Sequence, residues 1–390
     1  MGFGTLALII ACGLAGPLLA GMPRLAPPLV VGELAAGVLV GHTGAGWVDP
    51  GEPTLRFLSD MGFALLMFSL GAALPLRDPG LRAALGRGCI AAGAALVLAV
   101  PAGYLVAAGG GLGRPWVAVM LLASTSAALA LPALTERGLD RTALGMAMVA
   151  WSSIANVVVV MALPLVTTSG SVWRTLAGSV MVTGVTVVVW ILWRDARRHA
   201  WFKRYRRLSK RRRWGLDLRI ALAILFLLAW LAVTFGTSIL VAGFSAGVVV
   251  ALIGRPRRLA WEVLGLAEGL FVPLFFVTLG AQLDLRALAQ EPRQVLLAGL
   301  LLAGGVAVHA GAALAGRMPA AAGLVAVATM GVPAAAVALG LREGTLSPAQ
   351  GAAVMAAALG SVAVMAAGVR LLGAPARGGV PPRGDAPAPG

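Results

Sequence analysis

Leu70 to Leu76 reads LGAALPL, and Leu279 to Leu285 reads LGAQLDL. A second phrase, AGVLV from Ala36 to Val40, returns as AGVVV from Ala246 to Val250. Counted on their glycines, the copies lie 209 and 210 residues apart. A fixed interval between apolar phrases marks a duplicated structural unit. Composition says what kind of unit it is. The 390-residue chain is 59% hydrophobic and 12% charged and holds 52 glycines, with a mean hydropathy of +0.91. So little polar surface cannot solvate a water-soluble globule, and the expected fold class is an all-α polytopic membrane protein.

A crossing needs about 20 mainly apolar residues. Thirteen stretches meet that measure, near 2–21, 28–48, 55–75, 85–108, 115–134, 142–166, 172–193, 216–235, 237–253, 263–283, 294–316, 320–341 and 348–372. The repeated phrases fall in spans two and three and again in nine and ten. Seven crossings separate the copies, an odd number, so the second copy is expected to enter the bilayer from the opposite side, as in secondary transporters. The expected organisation is a first repeat plus linking helix over 1–193, a basic cytoplasmic loop over 194–215, an inverted second repeat over 216–372, and a disordered Pro/Gly tail over 373–390. The first apolar run has no basic residue before it, since Arg24 is the first charge, so a retained helix is expected rather than a signal peptide.

With the N-terminus outside, 25 of the 31 basic residues fall on the cytoplasmic side, which is the orientation that the positive-inside rule selects, in a cell membrane. Much of the net charge of +16 sits in RDARRHAWFKRYRRLSKRRRW, Arg194 to Trp214. In a soluble protein such a run would suggest nucleic acid. Here, with Trp193, Trp201, Tyr205 and Trp214 among the charges, anionic lipid at Arg194 to Arg213 is the expected partner. Cys12 and Cys89 both lie in apolar runs and are expected to be buried thiols, with no disulfide and no metal cluster. No nucleotide loop, metal-ligand cluster or nucleophile triad is present in the sequence, so neither an enzyme nor a cofactor is expected.

Polar groups deep in a span are costly unless paired or solvated, which makes them site candidates. Span five holds Ser124, Thr125 and Ser126, then Pro132; span six holds Ser152, Ser153 and Asn156; span eleven holds His309; span twelve holds Gly331, Val332 and Pro333. Proline and glycine are expected to break spans five and twelve inside the membrane and to expose backbone groups there. Hydroxyls in such helices either bond their own backbone or line a path; Asn156, three and four residues beyond the serines, shares their face. His309 is either a packed core histidine or the midplane group that exchanges protons near neutrality. Glu33, Asp60 and Glu268 lie nearer span ends, as partners for helix termini or basic groups, or as functional acids.

These landmarks resemble the monovalent cation:proton antiporter family, the sodium/hydrogen exchanger type, over residues 1 to 372. The matching phrases are PPLVVGELAAGVLVG at Pro27 to Gly41, ALLMFSLGAAL at Ala64 to Leu74, ASTSAALALPALTERG at Ala123 to Gly138, and VPLFFVTLGAQLDL at Val272 to Leu285. The resemblance implies about thirteen helices, crossed discontinuous spans five and twelve, an elevator-like movement and a homodimer. It also implies exchange of sodium or potassium for protons, along a path through Ser124, Thr125, Ser126, Ser152, Ser153, Asn156, Gly331 and Val332. The family's intramembrane acidic pair corresponds to Ser152-Ser153, its span-eleven lysine to His309, and its Arg-Gly-Glu to Met330-Gly331-Val332. A hydroxyl can ligate a cation but cannot titrate near neutrality, so proton coupling is expected to pass through His309 or Glu33. Two other readings remain open: the same fold carrying a neutral or anionic organic solute, and a non-transporting membrane protein that binds through its basic segment.

Overall fold

The computed structural model describes residues 2–22, 28–76, 79–212, 214–253 and 265–372, and these are all helix, turn and extended connection. In chain order the helices are α1 (Phe3–Gly13), α2 (Ala15–Ala20), α3 (Leu29–Val40), α4 (Pro53–Ala72), α5 (Pro79–Gly110), α6 (Pro115–Ala123), α7 (Ala127–Glu136), α8 (Ala143–Thr167), α9 (Val172–Ala196), α10 (Ala200–Arg212), α11 (Leu216–Thr234) and α12 (Ile239–Ile253). A π turn, Ala267–Phe271, leads into α13 (Val272–Gln282). It is followed by α14 (Leu285–Gln290), α15 (Pro292–Ala315), α16 (Ala320–Ala326), α17 (Gly331–Arg342) and α18 (Pro348–Leu371).

The starts are written in the sequence. Proline occupies the first turn of α4, α6, α15 and α18, where its missing N–H costs nothing. Glu52 caps α4 by accepting the Leu55 N–H at 2.7 Å, and Thr142 caps α8 through the Gly145 N–H at 3.1 Å. Ser347 and Gln350 form a reciprocal capping box at the head of α18. After α7 and α17 the chain turns at Gly138 (φ +67°) and Gly344 (φ +66°), a left-handed geometry that glycine adopts without strain.

Among the described residues, eight helical stretches are long and apolar enough to cross a bilayer, or nine if the bent pair α16 and α17 counts as one, and three shorter apolar helices accompany them at 29–40, 239–252 and 267–282. Twelve of the thirteen stretches read from the sequence correspond to these, and 115–134 instead holds two short helices, α6 and α7. The segment expected as a basic loop is instead helical: α9 runs on to Ala196 and α10 fills Ala200–Arg212. The reason is spacing, because Phe202 and Ser209 fall on one face and are buried while charges occupy the rest. The expected tail over 373–390 lies outside the described residues. Cys89 is exposed rather than buried.

The helices form two bundles. One contains α1 to α4, α9 and α11 to α13; the other contains α5 to α8 and α15 to α18. They meet where α8 touches α9 and α12 and where α17 touches α4, while α14 leans on α18 and α15 of the second bundle.

The repeated phrases organise the first bundle. A Cβ built on Gly37 would lie 2.2 Å from the Val277 carbonyl, and one on Gly280 would lie 2.4 Å from that of Leu34. Likewise Gly247 abuts the Phe68 carbonyl at 2.1 Å, and Gly71 abuts that of Phe244 at 2.2 Å. The first copy's AGVLV helix therefore packs on the second copy's LGAQLDL helix, and the second copy's AGVVV helix on the first copy's LGAALPL helix. Each seam joins half of one copy to half of the other. Without side chains at these points the backbones approach closely, which is how apolar helices gain packing energy in lipid.

Candidate functional site

In the second bundle two helical rods are interrupted. The chain leaves α6 at Ser124 (φ −77°, ψ 143°), stays extended through Ser126 (φ −131°, ψ 110°), and re-enters helix at Ala127. Serine and threonine favour this because their side chains compete for backbone groups. Ser124 Oγ donates to the Leu121 carbonyl at 2.7 Å, satisfying one of the acceptors that the end of α6 leaves open. The second interruption occupies 327–330, between α16 and α17, whose axes bend by 46°. The sequence placed this break at Gly331, Val332 and Pro333. Instead those residues open α17, with Pro333 in its first turn, where proline is tolerated. Pro132 likewise sits within α7.

The interruptions face each other. Ser124 Oγ lies 3.5 Å from Thr329 Oγ1, and Thr125 Oγ1 lies 3.3 Å from Ser152 Oγ on α8. Ser361 on α18 joins the group: its Oγ accepts from the Thr329 N–H at 3.4 Å and donates to the Ala358 carbonyl at 2.6 Å. Ser124 and Thr125 have no solvent-exposed surface. A small cavity of about 40 Å³ is lined by Gly305, His309, Thr329 and Ser361 together with aliphatic side chains. That volume admits an occupant the size of a water molecule or a small ion.

His309 closes one side. Its Nδ1 is 2.9 Å from the Gly305 carbonyl; a carbonyl only accepts, so Nδ1 carries the proton. Nε2 is buried without a hydrogen-bond partner, and the Ser124 backbone lies within its electrostatic reach. The ring stacks on Trp151 with centroids 5.5 Å apart and planes 27° from parallel. Behind it, Gly323 of α16 packs directly on the His309 backbone.

The fold therefore brings Ser124, Thr125, Ser152 and His309 together. Ser153 is buried beside them but turns its hydroxyl to the Val149 carbonyl of its own helix at 2.7 Å. Ser126, Asn156 and Val332 are buried in the same bundle, and Gly331 abuts Leu70 at the contact with α4. Glu33 is elsewhere: it is buried in the first bundle, packed against Gly16, with one carboxylate oxygen unpartnered. Among the described residues it is the one buried acid, so the hydroxyl cluster has no carboxylate of its own. Thr329 and Ser361 are additions; each is a single hydroxyl in an apolar run, and only their convergence on Ser124 distinguishes them. No group of three or more His, Cys, Asp or Glu side chains suited to a metal occurs among the described residues.

One face of the protein carries a further polar set. Arg342 pairs with Asp60 across the two bundles, and Glu343 accepts from the Ser169 N–H at 3.0 Å and its hydroxyl at 2.7 Å. Those two bonds hold the Glu343 carboxyl below the usual range. Arg114 donates to the Thr168 and Val166 carbonyls nearby.

A family model described as sodium/hydrogen exchanger, transmembrane, matches residues 7–372. The glutathione-regulated potassium-efflux system protein KefC of Cronobacter sakazakii is 30% identical over 285 residues, which is 70% of this chain and 44% of that protein. Its counterpart from Salmonella paratyphi B is 30% identical over 298 residues, 73% of this chain and 46% of that protein. The chain thus spans just under half the length of these curated relatives. Among solved structures, the sodium proton antiporter MjNhaP1 from Methanocaldococcus jannaschii, at pH 8, superposes with a TM-score of 0.65. It covers 95% of this chain and 98% of its own, at 17% identity.

Proposed function

Because the chain belongs to the sodium/hydrogen exchanger family, we propose that it exchanges a monovalent cation, sodium or potassium, for protons by alternating access. One observation carries this reading: two interrupted helices meet, inside a membrane protein, at buried hydroxyls beside a histidine with an unpartnered nitrogen. The path runs past Ser124, Thr125, Ser126, Ser152, Ser153, Asn156, Gly331 and Val332, with Thr329 and Ser361 lining the same chamber. Hydroxyl and carbonyl oxygens suit a hard cation, and an oxygen cage without a carboxylate binds it more weakly than one with. The relatives named for potassium efflux favour potassium, and the fold match to a sodium proton antiporter keeps sodium in play.

Competition does not require an acid at this site. A cation among the hydroxyls and a proton on His309 repel each other; two unit charges about 4 Å apart cost about 4 kcal/mol at an effective dielectric of ~20. The two charges therefore exclude each other, and the site alternates between them. Glu33 is the second proton-linked group, in the first bundle.

The rest of the reading follows the family. The halves are inverted repeats, the N-terminus is outside and the C-terminus cytoplasmic, the protein is a homodimer in the cell membrane, and the segment from Arg194 to Arg213 rests on anionic lipid rather than nucleic acid. The two bundles, with sparse contact between them, suit an elevator in which the second moves against the first.

Purified protein in vesicles carrying a pH gradient tests the proposal. Added sodium or potassium is expected to dissipate the gradient, and His309→Ala is expected to slow this about tenfold or more. If neither cation has any effect between about pH 6 and 9, either side of the ordinary imidazole range, antiport is rejected. The absence of a carboxylate from the cluster favours one second reading, a neutral or anionic organic solute as cargo. Thermal stabilisation by organic compounds alone, with none by cations, would select it.

A further inference from the structure

The face that carries Asp60 and Arg342 holds two cavities the transport path does not use. One, of about 780 Å³, lies between α4, α11 and the end of α17. Its walls are mainly apolar, with Phe57, Ala229, Trp230 and Val233, and Thr237 and Glu343 line it too. Phe57 is 64% exposed, Trp230 62% and Val233 63%, so the cavity has an exposed apolar rim, of the kind that suits contact with lipid. Such a volume is within the range of sites that enclose a small molecule.

The other, of about 390 Å³, is polar and includes His42, Arg56 and Asp49. Asp60, Leu339 and Arg342 line both cavities. The Asp60–Arg342 pair is therefore a partition, mainly apolar on one side and polar, with charges of both signs, on the other. Arg56 lies one turn before Asp60 on α4, so a second guanidinium stands close to the partition.

We propose that this partitioned chamber binds a phospholipid from the adjacent leaflet, with an acyl chain in the apolar cavity and the phosphate on Arg342. The chemistry fits from end to end. The chain replaces contacts that the apolar walls would otherwise lack. Arginine presents a planar fork to phosphate oxygens, and that pairing survives beside an existing carboxylate because the guanidinium has five donors. Lipid headgroups lie at the ends of spans, where this ion pair sits. The site does not depend on which way up the protein lies.

Photoactivatable phosphatidylglycerol with a diazirine in its acyl chain, in nanodiscs holding the full chain, is the test. Labelling is expected to concentrate on residues 57–64 and 226–233, about tenfold above the lipid-facing strip from Val97 to Leu105 of α5. Ala229→Trp fills the cavity and is expected to lower the first signal about tenfold while leaving the α5 signal unchanged. Arg342→Gln leaves the apolar walls intact and is expected to weaken labelling several-fold for the phospholipid but not for a diazirine fatty acid. Size-exclusion profiles of the variants establish that they fold. Even labelling of both regions overturns the proposal, as does labelling unchanged by Ala229→Trp. A phospholipid signal insensitive to Arg342→Gln overturns the phosphate contact.

Discussion

The two bundles pair their segments in different ways. In the first, the paired glycines of the repeated phrases make equivalent contacts, Gly37 on Val277 and Gly280 on Leu34 against Gly247 on Phe68 and Gly71 on Phe244. In the second, both copies interrupt a helix, yet one break is Ser124, Thr125 and Ser126 while the other supplies a single hydroxyl, Thr329. A close backbone contact needs glycine on each side, so the two seams are alike. A chamber needs only converging polar groups, so its two sides can differ.

The largest effect is expected at the seams. Gly37→Val and Gly247→Val each force a side chain onto a backbone carbonyl, and each is expected to cost about 3 kcal/mol or more. Unfolding midpoints in detergent measure this; a large loss at one position and none at the other would break the equivalence of the seams. Next comes the chamber. Removing its hydroxyls together, as Ser124→Ala, Thr125→Ala and Ser152→Ala, is expected to cost about 1 kcal/mol per hydroxyl in stability. Cation-driven proton movement in vesicles is expected to fall about tenfold or more. A triple variant that transports normally would leave these oxygens a purely structural role.

Glycines outside the seams sharpen the contrast with the opposite sign. Gly299 on α15 is exposed, with open space around a built Cβ. Gly299→Ala is expected to stabilise by about 1 kcal/mol or less, through helix propensity alone, as a rise in unfolding midpoint. The smallest effect concerns the start of α4. The Leu55 N–H bonded to Glu52 lowers its pKa from 4.5 to about 2. The contribution of this cap is therefore present above pH 4.5 and is lost as pH falls toward 2. Stability followed through that acid window is expected to decline less steeply in Glu52→Gln than in the parent.

Much of this architecture was legible in the sequence. Composition forced a helical membrane fold, and span five does break, though at Ser124 to Ser126 rather than at Pro132, the proline expected to break it, which lies within α7. The second break was read three residues late, because Pro333 suggested an interruption where a proline in fact begins a helix. Thr329 and Ser361 escaped notice because a lone hydroxyl in an apolar run carries no signal until the fold brings it beside another. The Asp60–Arg342 pair, 282 residues apart in the chain, is a product of tertiary structure. Asp60 was recognisable only as a group in want of a basic partner. The exchange of partners between the copies was equally hidden, since an interval records that two segments are alike and not which ones touch.

That exchange bears on how the molecule is made. When the first 193 residues have left the ribosome, α3 and α4 are in the bilayer, but the backbones that their glycines fit have not yet been synthesised. Neither seam can close from the first copy alone: the groove on α4 stays bare until α12 is made, to Ile253, and that on α3 until α13 is made, to Gln282.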